Sequence, residues 1–201
     1  MNLGEGEVHI WRVALDSAGD LDVLDPRERE RAARFRFESD RRRFIASHTQ
    51  LRRILARYLN VGPAAVRIEI GKLGKPSVEG PVRFNMSHSG ELALYAVALR
   101  EVGVDVERIR TDLDVMGIAS RFLPAPEALE LGELEPGERT RAFFRLWTRR
   151  EAWLKARGIG LGAIGEPVGA GWHIGGLEAG DGYAAAFAVE GTGPTTLRTI
   201  K

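Results

Sequence analysis

The chain contains no cysteine. Disulfide bridges, thiolate metal sites and a cysteine nucleophile are therefore excluded. No unbroken apolar run reaches the roughly 18–20 residues that a membrane-spanning helix needs. An excess of one charge is also missing: 29 Lys and Arg face 28 Asp and Glu, a net charge of +1. General nucleic-acid binders usually carry a basic excess, so this balance argues against one. Met1 to Glu7 is acidic and glycine-rich, unlike a signal peptide, and the expectation is a cytoplasmic protein. What is present is 201 residues, 44% of them hydrophobic. That suffices for one substantial domain, or for two small halves sharing a core.

Val8 to Val13 alternates as a strand. Asp25 and Pro26 fit the N-cap and first position of a helix. A second helix starts near Ser39 or Asp40, carries Phe44, Ile45, Ser47 or His48, Leu51, Ile54, Leu55, Tyr58 and Leu59 near a 3.6 period, and ends at Asn60, Gly62 and Pro63. Val66–Ile70, Phe84–Met86, Leu92–Leu99 and Val102–Glu107 read as strands, with Gly71–Pro81 as a loop. Leu113–Phe122, Pro126–Leu131 and Thr140–Arg157 read as helices. Trp172–Ile174 and Tyr183–Val189 read as the closing strands. The order strand, helices, strands occurs twice, which predicts two similar α+β halves meeting near residue 102.

Two acidic patches stand out. In Gly103-Val104-Asp105-Val106-Glu107 the strand period puts Asp105 and Glu107 on one face, about 6.5–7 Å apart, with Val104 and Val106 toward the core. At an effective dielectric near 20 such charges repel by about 2–2.5 kcal/mol. A solvated strand edge tolerates that, and such a pair alone is more often an edge. In the helical run Trp147 to Lys155, Trp147, Glu151 and Lys155 share a face that also carries bulky apolar groups. Alone, Glu151 and Lys155 are an ordinary surface pair. Together the three carboxylates supply the oxygen ligands that Mg²⁺ or Mn²⁺ prefers.

The N-terminal third is dense in arginine. Most of these residues belong on solvated helix surface, but one or two fit as bidentate phosphate forks, Arg43 being best placed beside the apolar stripe. Lys75 lies between Gly74 and Pro76, in a loop where backbone can approach a ligand closely. Ser87 and His88 are strand neighbours and face opposite ways, so they do not form a hydrolase pair, and no G-x-S-x-G elbow is present. A histidine among hydroxyls at a strand end can instead donate to phosphate oxygens.

Read in order, Gly74-Lys75-Pro76, Phe84-Asn85-Met86-Ser87-His88-Ser89, Gly103 to Glu107 and Trp147 to Lys155 resemble the 4′-phosphopantetheinyl transferases, of the monomeric, double-length, surfactin-synthetase-activating type. Gly182 to Val189 looks like that family's last strand. The resemblance implies an α+β fold of two halves, 1–102 and 103–201, related by a pseudo-twofold with the active site in the cleft between them. It implies magnesium-dependent transfer of 4′-phosphopantetheine from coenzyme A to a serine of an apo carrier protein, releasing adenosine 3′,5′-bisphosphate. By position, Asp105, Glu107 and Glu151 match the metal ligands. Arg43, Lys75, Ser87 and His88 match contacts to coenzyme A phosphates, including the 3′-phosphate; Asp105 counts among the substrate-side contacts, and Arg31 is retained near the adenosine. Lys155 matches the group approaching the pyrophosphate. Arg150 stands where the family usually has Lys, and Glu28 where relatives often carry a basic residue.

Three carboxylates facing a pyrophosphate would repel it without a cation between them. In that reading Lys155 and His88 add donors to the phosphate oxygens, and Glu151, or a metal-bound water beside it, accepts the serine proton. Arg121 and Phe122 are candidates for a basic and apolar carrier-docking surface. Two rival readings stand beside this one. A coenzyme A or nucleotide-binding module without transferase chemistry would give no mass gain on a carrier. A nucleic-acid binder built on the Arg-rich helices would show steep salt dependence.

Overall fold

Strand β1 (Glu7–Ala14) is buried continuously over Val8–Trp11, with Val8 and Ile10 in one core and Trp11 in the other, and is more exposed beyond them. Helix α1 (Pro26–Ala33) starts as its sequence dictates. Asp25 caps it, Glu28 reaches back to the Asp25 N–H, and the two complete a capping box. Helix α2 (Glu38–Leu59) ends at Asn60, which takes the left-handed conformation at φ 54°. Strands β2 (Glu69–Ile70) and β3 (Pro76–Ser77) form a two-residue hairpin. Then follow β4 (Arg83–Ser89), β5 (Leu92–Ala98) and β6 (Val102–Arg108). Helices α3 (Val115–Phe122), α4 (Ala125–Glu133) and α5 (Pro136–Arg157) lead to β7 (Trp172–Gly176), β8 (Tyr183–Glu190) and β9 (Thr196–Ile200). This computed structural model describes residues 1–200.

Besides the β2-β3 pair, two sheets result, ordered β4-β5-β1-β9 and β6-β8-β7. In the first, β5 lies antiparallel between β1 and β4; in the second, β8 lies antiparallel between β6 and β7. Each half thus repeats one topology: first strand, helices, then a hairpin whose second strand returns beside the first. The fold is α+β, as the element order predicts.

The layers follow from strand alternation. Trp11, Phe84, Tyr95 and Val97 turn to α2 and pack on Leu51, Ile54 and Leu55. The opposite face, Val8, Ile10, Leu92, Leu94 and Ala96, packs on Val102, Val104, Val106, Phe187 and Val189 of the second sheet. The far side of that sheet, including Ala186 and Ala188, receives Ala152, Trp153 and Ala156 of α5. The stack is helix, sheet, sheet, helix, with the core shared between the halves.

Three local expectations need correction. Of the strand expected over Val66–Ile70 only Glu69 and Ile70 pair, because Val66 is taken up by the cap of a 3₁₀ turn at Pro63–Ala65. The long helix begins at Pro136, four residues earlier than its apolar period indicates, since proline is well suited to a first turn. Val189 does not close the last strand of the chain: β9 crosses back and pairs parallel with β1.

Candidate active site

The site forms where β4, the edge of one sheet, runs beside β6, the edge of the other. No backbone ladder joins them. Alternate side chains of β4 do so instead. Asn85 Oδ1 accepts from the Val104 N–H at 3.0 Å. Ser87 Oγ donates to Asp105 Oδ1 at 2.8 Å, and Ser89 Oγ donates to Glu107 Oε2 at 3.0 Å. The Arg108 N–H donates to Ser89 Oγ at 3.0 Å. Residues 85, 87 and 89 share one face of β4, so a single strand period aligns the whole seam.

On β6 the same period sends Val104 and Val106 into the shared core and Gly103, Asp105 and Glu107 toward α5. Helix α5 brings Lys155, whose Nζ donates to Asp105 Oδ1 at 2.6 Å and to Ser87 Oγ at 3.0 Å. Asp105 is buried, and its Oδ2 has no hydrogen-bond partner. Burial and the repulsion of Asp105 push the Glu107 carboxyl above its ordinary range, against the opposing pull of Ser89 and Lys155. Burial and the charges of Asp105 and Glu107 push Glu151 up to about 7, with Lys155 again opposing. The three carboxylates feel one another because they converge.

Two hollows adjoin here and share Gly74, Pro76, Met86 and Lys155. The larger, about 520 Å³, reaches α1 and α2 and is lined by Arg31, His48, Ser87 and His88 among others. The smaller, about 300 Å³, runs along Leu73, Asn85, Glu151, Leu154 and Gly160. Burial, then the neighbouring His48, Lys155, Arg43 and Arg31, holds the His88 imidazole below its ordinary range. An incoming anion would oppose these cationic neighbours and favour the charged ring.

The structure therefore brings Arg31, Ser87, His88, Asp105, Glu107, Glu151 and Lys155 to one place. Arg43 lies near enough to act on the His88 charge, but Glu91 holds its guanidinium at 2.5 Å and it lines a separate hollow. Lys75 lines the smaller hollow, but its ammonium is tied to Glu101 at 2.5 Å and to the Ala156 carbonyl. Four contributors escape the sequence reading: Gly103, Asn85, Ser89 and His48. The first three follow from alternation on β6 and β4. His48 had its signal in the helical period, i+4 from Phe44 on the face turned to α1.

The donor set suits a divalent cation. It consists of carboxylate oxygens, one of them a buried oxygen without a partner among the described residues. Lys155, which bonds Asp105, lines both hollows. Among the described residues no group of three acidic or histidine side chains stands close enough together to hold a metal ion by itself. Magnesium can be held by one or two carboxylates, since it keeps waters and completes its shell with substrate phosphate.

Comparison with known proteins decides the family. Residues 13–100 match the model of the 4′-phosphopantetheinyl transferase N-terminal region, and residues 101–184 that of the 4′-phosphopantetheinyl transferase superfamily. The chain is 40% identical to the 4′-phosphopantetheinyl transferase HetI of Nostoc over 83% of its own length and 75% of HetI's. The chain belongs to the 4′-phosphopantetheinyl transferase family. A phosphopantetheinyl transferase of Thraustochytrium is 33% identical over 69% of this chain and 54% of its own length. The transferase Sfp of Bacillus subtilis is 28% identical over 70% of this chain and 63% of its own. The match thus spans about half to three quarters of these relatives. As a member of this family the chain is a transferase enzyme.

Proposed function

We propose that this enzyme transfers the 4′-phosphopantetheine of coenzyme A to a serine hydroxyl of an apo carrier protein, with magnesium bound, and releases adenosine 3′,5′-bisphosphate. One observation carries the reading: Asp105 and Glu107 from β6 converge with Glu151 and Lys155 from α5 beside two adjoining hollows that share Lys155. The larger hollow presents Arg31, His48 and His88 and suits the charged nucleotide end. The smaller presents Leu73, Met86 and Leu154 and suits an uncharged arm. The pyrophosphate between them then falls beside Lys155.

Asp105, Glu107 and Glu151 would hold the metal, which when bound supplies charge neutralisation at the pyrophosphate oxygens. Lys155 donates to the same oxygens and gives up its contact with Asp105 to do so. Ser87 keeps Asp105 oriented through its hydroxyl. Glu151 accepts the serine proton as the oxygen attacks phosphorus, directly or through a water. Without the metal, burial and like charge raise its carboxyl to about 7; a bound cation would lower it and favour the basic carboxylate form. Manganese would serve the same donor set.

Arg121 stacks over Phe122, whose ring meets Trp147 edge-on, one turn from Glu151. A carrier docking on this basic and aromatic ridge would present its serine to the metal side of the cleft. No helix among the described residues is long and apolar enough to cross a membrane. The reading places a single chain at work in the cytoplasm. The test is incubation with coenzyme A, magnesium and a panel of apo carriers, followed by mass spectrometry. Added phosphopantetheine that disappears on chelation supports the proposal, and no mass gain on any carrier refutes it.

A further inference from the structure

The β2–β3 hairpin walls the cleft but is weakly fastened to it. Its strands pair with each other and with no other strand. Leu73, in the loop between them, is 73% exposed and lines the smaller hollow, while Gly74 and Pro76 line both. Among the described residues, every hydrogen bond that a side chain of 67–77 makes to the rest of the chain comes from Lys75.

Lys75 reaches into the C-terminal half. Its Nζ donates to the Ala156 carbonyl, in the last turn of α5, and at 2.5 Å to Glu101 Oε2, in the link between β5 and β6. Its stem lies where Gly158 has no side chain: a Cβ there would stand 3.0 Å from the Lys75 Cδ and 3.1 Å from its Cβ. A cation at this place meets a carbonyl that the helix end leaves open and suits the helix dipole. The other Glu101 oxygen, Oε1, accepts from Arg83 Nε at 3.0 Å, and Arg83 Nη1 donates to the Gly80 carbonyl at 2.7 Å. Glu101 thus stands between two cations, with one oxygen for each. The turn of α5 that Lys75 holds is the one that carries Lys155.

We infer that Glu101 is a positioning residue for coenzyme A: through Lys75 it fastens the hairpin wall of the smaller hollow to the end of α5, and so fixes the slot for the uncharged arm. This rests on the placement of the arm in that hollow. Two of the three ammonium protons of Lys75 serve the clamp. The two roles open to Lys75 respond oppositely to the loss of Glu101. A lysine that served only as a charge facing phosphate would be released by it and bind more tightly. A lysine that fastens a wall would lose its hold.

The test needs neither a carrier nor turnover. Calorimetry with magnesium compares coenzyme A with adenosine 3′,5′-bisphosphate, which has no arm, on the wild type, Glu101→Ala, Glu101→Gln, Lys75→Met and the double variant Lys75→Met/Glu101→Ala. Glu101→Ala should weaken coenzyme A roughly tenfold, the scale of one bond between charged groups, and leave the bisphosphate nearly unchanged. The double variant should bind coenzyme A no worse than Lys75→Met alone, because both changes break one bond. Glu101→Gln keeps one acceptor and should fall between Glu101→Ala and the wild type. Both side chains are partly exposed, so the variants should unfold near the wild-type urea midpoint. Coenzyme A binding that is unchanged or tighter in Glu101→Ala, or equal losses for coenzyme A and the bisphosphate, would overturn the inference. An arm-selective loss in a protein that modifies no carrier would leave it standing and overturn only the transfer reading.

Discussion

Gly103 lies directly beneath Ala152: a Cβ placed on the glycine would sit 2.0 Å from the Ala152 carbonyl oxygen and 2.5 Å from the Ala156 nitrogen. Helix α5 can therefore press onto β6 only because position 103 has no side chain. That approach carries Glu151 to Asp105 and Glu107. Gly103→Ala should push α5 outward and cost about 1–3 kcal/mol, as overpacking does. Transfer should fall further than stability, because the carboxylates separate. Urea unfolding together with turnover at saturating magnesium checks this. Unchanged turnover would detach the glycine from the site.

Asp105 is buried with one carboxylate oxygen unpartnered and two like charges nearby. A site kept for function often costs stability. Asp105→Asn removes the repulsion while its amide oxygen still accepts from Ser87. Lys155, about a third exposed, can turn to solvent. In the presence of a chelator the variant should be at least as stable as the wild type, because the repulsion of Glu107 and Glu151 is relieved, while its amide nitrogen takes over the unpartnered place of Oδ2. Its transferase activity should fall by roughly 10²-fold or more. A variant that is both less stable and fully active would contradict both halves of the argument.

Glu151 supplies a pH dependence with a definite sign. Its carboxyl is raised from 4.5 to about 7 in the folded protein, so between those values the native state binds more protons than the unfolded chain. Stability then falls as pH rises through that window. Glu107, raised by the same causes, adds to the trend. Allowing for solvent screening at a partly exposed group, the Glu151 share is about 1–2 kcal/mol. Urea midpoints measured with chelator between pH 4.5 and 7 should show the decline, and Glu151→Gln should flatten it. The same variant should lower turnover by about 10²-fold or more.

Much of this was legible before any coordinates. The capping box at Asp25, the left-handed stop at Asn60, and the shared face of Asp105 and Glu107 each rest on local rules that tertiary structure left alone. What stayed hidden depended on distant partners. Strand β9 is short, mostly exposed and carries Leu197 at its solvent side; only the waiting edge of β1 makes it a strand. Arg52 looks like one more surface arginine among many, yet it is fully buried. Its place i+4 from His48 and i+8 from Phe44 was visible, but the two carboxylates that permit burial come from α1. Gly103 shows the same limit: alternation places it on the carboxylate face, while the helix that needs the gap lies some fifty residues on.

Arg150 belongs with these, and it gives the last test. Beside Glu151, it departs from the lysine usual in the family, and the structure gives the departure a reason. The buried guanidinium grips Glu127 of α4 through two bonds, at 2.5 and 3.0 Å, and donates at 2.9 Å to the carbonyls of Ile164 and Glu166. One planar fork thus ties α4, α5 and the segment after α5 together. Lysine has a single ammonium and cannot satisfy all four acceptors at these angles. Arg150→Lys should therefore destabilise by about 3 kcal/mol, the scale of breaking a buried charged network. Arg150 points away from the cleft, so the surviving folded molecules should keep kcat and the KM for coenzyme A. A shift in KM without a loss of stability would instead put Arg150 among the substrate contacts.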